Sequence, residues 1–338
     1  MRISSSTVIG GITALSGSQI VGQSKPRIIN QQNFVSSPSM PSWLTLTRLS
    51  TATRFDNTGM LVDVAADTAR FDYAYNGAGW ANQGLLLEKQ STNLQRNSTG
   101  DQLASWSVNS ATNTTLATSG TSYAGVSGAR VSGTSTGNTF SRAILPSKSV
   151  AVDDVLTCSF VCSLGNSGNI QCGFGAAGNE GFRYVSGVWS FGTQPATYTV
   201  LNTNGSLEGQ IAKPKFTIRI LQAHAGLPTF VSPFNTGALY VDVFWVQLEA
   251  LTYASSFIKT TTAAVTRAQD NLQLNVTNYT GSIKLTYKRQ DTGAIESAWI
   301  DLTNATNPIL TNSLSVGIWL QNIAVYNRIL TAQEKANA

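Results

Sequence analysis

The sequence predicts an all-β chain: an antiparallel jelly roll or β-sandwich with an extended N-terminal arm, a small C-terminal β unit and one short terminal helix. Three observations predict it. Charged residues are only 12% of the 338 residues, against roughly 25% in an average soluble protein. The hydrophobic fraction is 42%, enough for a packed core, and Ser, Thr, Asn and Gly, which form turns and neutral hydrogen-bonding surfaces, replace the missing charge. Short alternating apolar segments recur at roughly 8–12-residue intervals with no helical period, the pattern of sandwiches and jelly rolls.

Residues 1–34 are small, polar and irregular, with Lys25-Pro26 and a Gln/Asn-rich exit, IINQQNF. That texture predicts an arm ordered by a partner. Its opening, MRISSSTVIGGITALSGSQIVG, has one Arg and an apolar stretch broken by Gly and Ser, a poor secretory leader. No stretch approaches the ~18 apolar residues of a membrane span. The expectation is a protein made in a cytoplasm that contacts no membrane.

Residues 35–98 hold short apolar pieces (WLTLTRL, GMLVDVA, RFDYAY, GLLLE) separated by Asn-Thr-Gly, Asn-Gly and Asn-Gln-Gly, the punctuation of short strands and hairpins. Residues 99–270 start with a Ser/Thr/Gly/Asn tract with single hydrophobics (Trp106, Val108, Leu116, Tyr123, Val126). They continue with DVLTCSFVCSL, NIQCGFGA, GFRYVSGVWSFGT, KFTIRILQA and GALYVDVFWVQLEAL. Ser186-Gly187 sits where a two-residue hairpin turn belongs. Residues 271–338 add NLQLNV, SIKLTYKR, SAWIDL and IAVYNRIL, too few strands for a self-sufficient sandwich. Thr331-x-x-Glu334 forms a capping box that starts the terminal helix.

Several chemistries find little support. The net charge of +5 comes from 22 bases spread thinly, without the basic run or helix that grips nucleic acid. The cysteines are Cys158, Cys162 and Cys172, an odd count for a disulfide framework. Cys158 and Cys162 fall on one strand face about 13 Å apart, beyond disulfide reach and shared metal ligation. They read as buried thiols. His224 is the only histidine and has no G-x-S-x-G elbow beside it, so no metal and no cofactor is expected. Asp153-Asp154 precedes a strand, where Asp closes turns. Asp63, Asp67 or a long-range carboxylate pair could still be assembled by the fold into a glycosidase dyad.

Two blocks carry a resemblance. The first, LTRLSTATRFDNTGMLVDVAADTARFDYAYNGAGWANQGLLLEKQSTNLQRNS, contains Thr47, Arg48, Ser50, Ala52 and Thr53, then Asp56-x-x-Gly59-x-Leu61, Arg70-Phe71-Asp72-Tyr73, Gly84-Leu85-Leu86-x-Glu88 and Thr92-Asn93-Leu94, closing on Asn97-Ser98. It resembles a segment of bacteriophage head spike, tail fibre and minor tail proteins. The second, VDVFWVQLEALTYASSFIKTTTAAVTRAQDNL, is similar to the ending of that family through Trp245, Gln247-Leu248-Glu249, Ser256, Ile258, Thr260, Val265-Thr266-Arg267-Ala268 and Asp270. The blocks bracket strands that look like a carbohydrate-binding-module jelly roll. The C-terminal GIWLQNIAVYNRILTAQEK is similar to the end of lectin-like domains of phage adhesins. The resemblance implies a virion structural protein, commonly a homotrimer, docked on other virion proteins through residues 1–34 and resident in the virion.

Candidate residues follow. Arg48, Arg70, Glu88, Glu249 and Arg267 are expected to form structural ion pairs that lock the bracket onto the jelly roll, because Arg–carboxylate pairs supply register. The seven Trp and ten Tyr offer flat faces for sugars. Trp189 beside its hairpin with Tyr184, and Trp80 in its Gly-rich loop, are the candidates for host-polysaccharide contact. Trp245 and Trp319, inside apolar strands, are expected in the core. The functional expectation is a non-enzymatic phage spike, fibre or decoration protein that contacts host-surface glycans. The alternatives are a polysaccharide depolymerase and a purely structural cement protein.

Overall fold

The structure is a computed structural model, and it describes residues 25–108, 114–136, 141–175, 181–193, 195–312 and 315–338. Residues 1–24, most of the expected arm, lie outside the described residues. The chain is built of antiparallel strands and ends in one short helix, Ala332–Ala336. Its capping box is complete: the Thr331 hydroxyl accepts from the Glu334 amide and the Glu334 carboxylate returns to the Thr331 amide. No helix among the described residues is long and apolar enough to cross a membrane.

Two sheets face each other in the middle of the chain. The larger orders Tyr198–Glu208, Ile211–Ile220, Val155–Ser163, Gly237–Glu249, Val126–Ser135 and Thr115–Tyr123 side by side. The smaller contains Val188–Phe191, Phe182–Val185, Ile170–Phe174 and Thr229–Pro233. Alternation explains the packing. On Ile211–Ile220 the even positions Ala212, Phe216, Ile218 and Ile220 enter the core with Cys158, Phe160 and Val243, so Lys213 and Lys215 share the opposite face. Cys158, Cys162 and Cys172 are buried free thiols, and burial raises the pKa of each. Ser186 and Gly187 both have positive φ, 50° and 91°, and join Phe182–Val185 to Val188–Phe191 in a two-residue turn.

The second body is discontinuous in sequence. Trp80–Leu87 pairs on one side with Phe71–Tyr75 and on the other with Ile318–Tyr326, which continues into Tyr279–Arg289 and Ile295–Ala305. Leu44–Thr47 pairs with Asn271–Leu274 and supplies Leu44, Leu46, Leu272 and Leu274 to the same core as Leu85, Leu320 and Ile323. Residues 44–87 and 272–325 therefore share one core instead of forming two separate units, while Ser91–Asn93 joins the larger jelly-roll sheet. The physical reason is the shortage of strands at the C-terminus: neither piece alone can cover its apolar face.

The arm boundary is corrected in the same way. Ile28–Asn33 runs antiparallel to Ile318–Tyr326, and Phe34 is fully buried in the second core. Residues 28–34, expected in the arm, therefore belong to the second body.

Candidate functional site

Where the two bodies meet, the charged residues of both sequence blocks converge. Ser91–Asn93 pairs with Val265–Arg267 and touches the end of Gly237–Glu249, which brings residues 48–93 against residues 245–270. Arg70 lies between two carboxylates, donating to Glu88 at 2.8 Å and to Asp270 at 2.5 Å. Arg48 reaches Asp270 at 2.9 Å and also donates to the Ser50 and Ala65 carbonyls. Arg267 meets Glu88 at 3.0 Å and donates to the Lys89 carbonyl. The side chains of Arg48, Arg70, Glu88 and Asp270 are 0% exposed.

Burial disfavours each charge, so the neighbours decide the protonation states. Burial raises the Glu88 pKa, but Arg267 and Arg70 outweigh it and hold Glu88 at about 2, helped by the Ser256 hydroxyl and amide. For Arg70, desolvation is outweighed by Glu88 and Asp270, and its pKa is raised. Arg48 has one carboxylate partner, and desolvation lowers its pKa.

Glu249 is the exception to the expected ion pairing. No salt bridge reaches it among the described residues. It accepts instead from the hydroxyls of Ser91 and Ser255, from the Ser255 amide at 2.9 Å and from Gln247 Nε2 at 2.8 Å. Burial keeps its pKa raised. Asp270 takes the place expected for it, because Glu249 ends a jelly-roll strand facing a serine loop while Asp270 lies beside Glu88, whose amide donates to it at 2.9 Å. The signal for Asp270 was present in its block, VTRAQD, although pair identity is not a local property.

The two aromatic candidates are packed by protein. Trp189 stacks on Phe182 with ring centroids 5.1 Å apart and leans on Tyr184 at 5.0 Å. Gly205 lies against its fused-ring bond, so a Cβ there would overlap the indole. Trp80 is flanked by Phe55 at 5.2 Å and by Gly59, where an added Cβ would also strike the ring. Gly59 has φ of 85° in the Asp56 turn, whose carboxylate accepts from the Thr58 and Met60 amides. Trp189, Tyr184 and Trp80 are each partly exposed, with one face of each ring against protein. Gly205→Ala is expected to cost about 1–3 kcal/mol through overpacking, measured as a lowered urea midpoint with altered tryptophan fluorescence. An unchanged midpoint would mean that the Trp189 ring is not held there.

Beside the ion cluster, a cavity of about 150 Å³ opens between the bodies. Its floor is the outer face of the larger jelly-roll sheet, with Ser159, Val161, Lys213, Lys215, Trp245 and Gln247. Its opposite wall comes from the second body and the loops between, with Arg54, Phe55, Asp72, Phe257, Gln290 and Trp319. Trp245 is buried as expected, but Trp319 is only partly so: it lines this cavity and donates its Nε1–H to Asp72 at 2.8 Å. Asp72 also accepts from the Phe55 amide, yet burial pushes its pKa up to about 6.

The other residues singled out in the sequence fall elsewhere. His224 is exposed on a short edge ladder, where its Nδ1 accepts from the Gly226 amide. Asp154 caps a turn through the Ala151 amide. Asp67 accepts from the Arg48 amide, and Asp63 lies on the short strand Leu61–Val64. No protein-family model matches the chain, and a search of curated proteins finds no match.

Proposed function

We propose that the chain is a bacteriophage virion structural protein, a spike, fibre or decoration component, that contacts host-surface glycans without cutting them. The observation that supports this most is the meeting of the two blocks. Arg48, Arg70, Glu88, Arg267 and Asp270, five of the charged residues on which the resemblance to phage spike and fibre proteins rests, form one buried cluster joining two β bodies. Such a seam fixes orientation, which suits a rigid projecting part. The reading carries with it assembly as a homotrimer, docking on other virion proteins through the N-terminal residues and residence in the virion after synthesis in the host cytoplasm.

Binding is favoured over hydrolysis on one observation. Among the described residues lining the cavity, Asp72 is the single carboxylate, whereas a glycosidase places two carboxyl groups roughly 5–9.5 Å apart across its groove.

Deletion of residues 1–24 is expected to abolish loading onto particles while the β bodies stay folded, measured by immunoblot of purified virions and by circular dichroism. Loading of the truncated chain would overturn the docking assignment. Deletion through residue 34 is not equivalent, because it removes the strand Ile28–Asn33 and the buried Phe34.

A further inference from the structure

We infer that the cavity between the two bodies is a binding site for an acidic saccharide, with the Lys215 ammonium as the group that recognises its carboxylate. The inference rests on the reading of the chain as a glycan-contacting protein and names the sugar class and the site.

Lys215 carries it. Its strand places it in one row across the outer sheet face: Asn204 opposes Lys215, Lys215 opposes Ser159, and Ser159 opposes Gln247. No ion pair or hydrogen bond engages the Lys215 ammonium among the described residues, although other charges nearby are paired. Lys213, two residues away on the same face, bonds Glu208 at 2.6 Å. Arg54 donates to the Phe55 and Phe71 carbonyls. Lys215 is exposed on this face and lines the cavity, so its ammonium can be reached from solvent at the cavity rim. A solvent-reachable ammonium with no partner among the described residues, at the rim of the cavity, is placed to meet a carboxylate that enters it, through a charge-assisted hydrogen bond.

The surroundings select a sugar over a bare anion. Lys215, Ala254 and Gln290 line both this cavity and an adjoining recess that contains Asn202, Asn204 and Thr217. Ser159, Asn202 and Asn204 have side chains with no hydrogen-bond partner among the described residues, so hydroxyl-binding groups flank the ammonium on both sides. Phe55, Trp245, Phe257 and Trp319 give the cavity its apolar wall, the combination of apolar lining and few placed polar groups that small-ligand sites share. At about 150 Å³ the cavity holds several times the ~30 Å³ share of one water. That volume suits a single sugar ring with its carboxylate directed at Lys215.

The test is titration of the full chain with glucuronate, glucose and inorganic sulfate, read by the fluorescence of the two tryptophans in the wall and by amide NMR shifts. Glucuronate is expected to bind at least tenfold more tightly than glucose or sulfate and to shift the amides of Ser159, Asn204 and Lys215. Lys215→Met is expected to lose at least tenfold in glucuronate affinity, and Lys215→Arg to stay within threefold of wild type. Equal binding of glucuronate and glucose, equal binding of sulfate, or an unaffected Lys215→Met variant would each overturn the assignment. The two readings fail separately. Protein that binds host cells but not glucuronate overturns this site alone. Protein that binds glucuronate but no host cell overturns the adhesin reading and leaves the site standing.

Discussion

Arg70→Met is expected to destabilise the protein by about 3–5 kcal/mol, the typical cost of removing one partner from a buried ion pair. The cause is local. Arg70 is the only residue that bridges Glu88 and Asp270 in the described cluster, so its loss leaves Asp270 to Arg48 and Glu88 to Arg267 in a site that excludes water. Arg70→Lys should recover little, because an ammonium cannot present two forked donors to two carboxylates. Urea unfolding followed by circular dichroism measures both variants. A loss under about 1 kcal/mol for Arg70→Met would mean that the cluster behaves like a surface pair and does not hold the seam.

Acid is expected to act on the same seam in two opposite steps. Glu88 has a pKa depressed to about 2 from an ordinary 4.5, so its contribution is present above pH 4.5 and is lost as pH falls towards 2. Asp72 has a pKa raised to about 6 from 3.8. Its protonated form favours the fold, so that contribution is full below pH 3.8 and disappears as pH rises through 6. Each shift corresponds to a contribution on the order of 3 kcal/mol. Stability should therefore crest at about pH 4 and fall on either side. Urea midpoints between pH 2.5 and 7.5 test the shape, and Asp72→Asn should flatten the limb between pH 4 and 6 while leaving the acid limb. A midpoint that falls steadily from pH 7 to 5 would contradict the protonation assigned to Asp72.

What the sequence reveals depends on how local the determinant is. The all-β class, the Ser186-Gly187 hairpin and the Thr331/Glu334 box are legible because period-2 alternation, positive φ and capping act within a few residues. The joining of residues 44–87 to 272–325 is not. Trp80–Leu87 and Ile318–Tyr326 each read as a strand, but nothing in a strand's own pattern names a partner more than two hundred residues away.

The charged cluster shows the same limit. Four of the five arginines and carboxylates singled out in the sequence join it, whereas Glu249 is held by serines and Gln247, and Asp270 takes its place. Pairing is set by which strand ends meet, and that is decided by the fold. The surroundings of the aromatic candidates are equally non-local: Gly59 and Gly205, remote in sequence, let the chain approach the indoles of Trp80 and Trp189 closely. For Lys213 and Lys215, the sequence places both on one strand face. That this face looks across a cavity at a second β body depends on the seam.

The most direct test of the adhesin reading is binding of labelled, purified protein to intact cells of the bacterium that supports the particles, before and after removal of surface polysaccharide. The account predicts saturable binding that disappears with the polysaccharide and weakens in the Lys215→Met variant. Binding that survives removal of the polysaccharide, or no binding at saturating protein, would contradict it and favour a decoration protein whose β bodies serve only to hold the particle together.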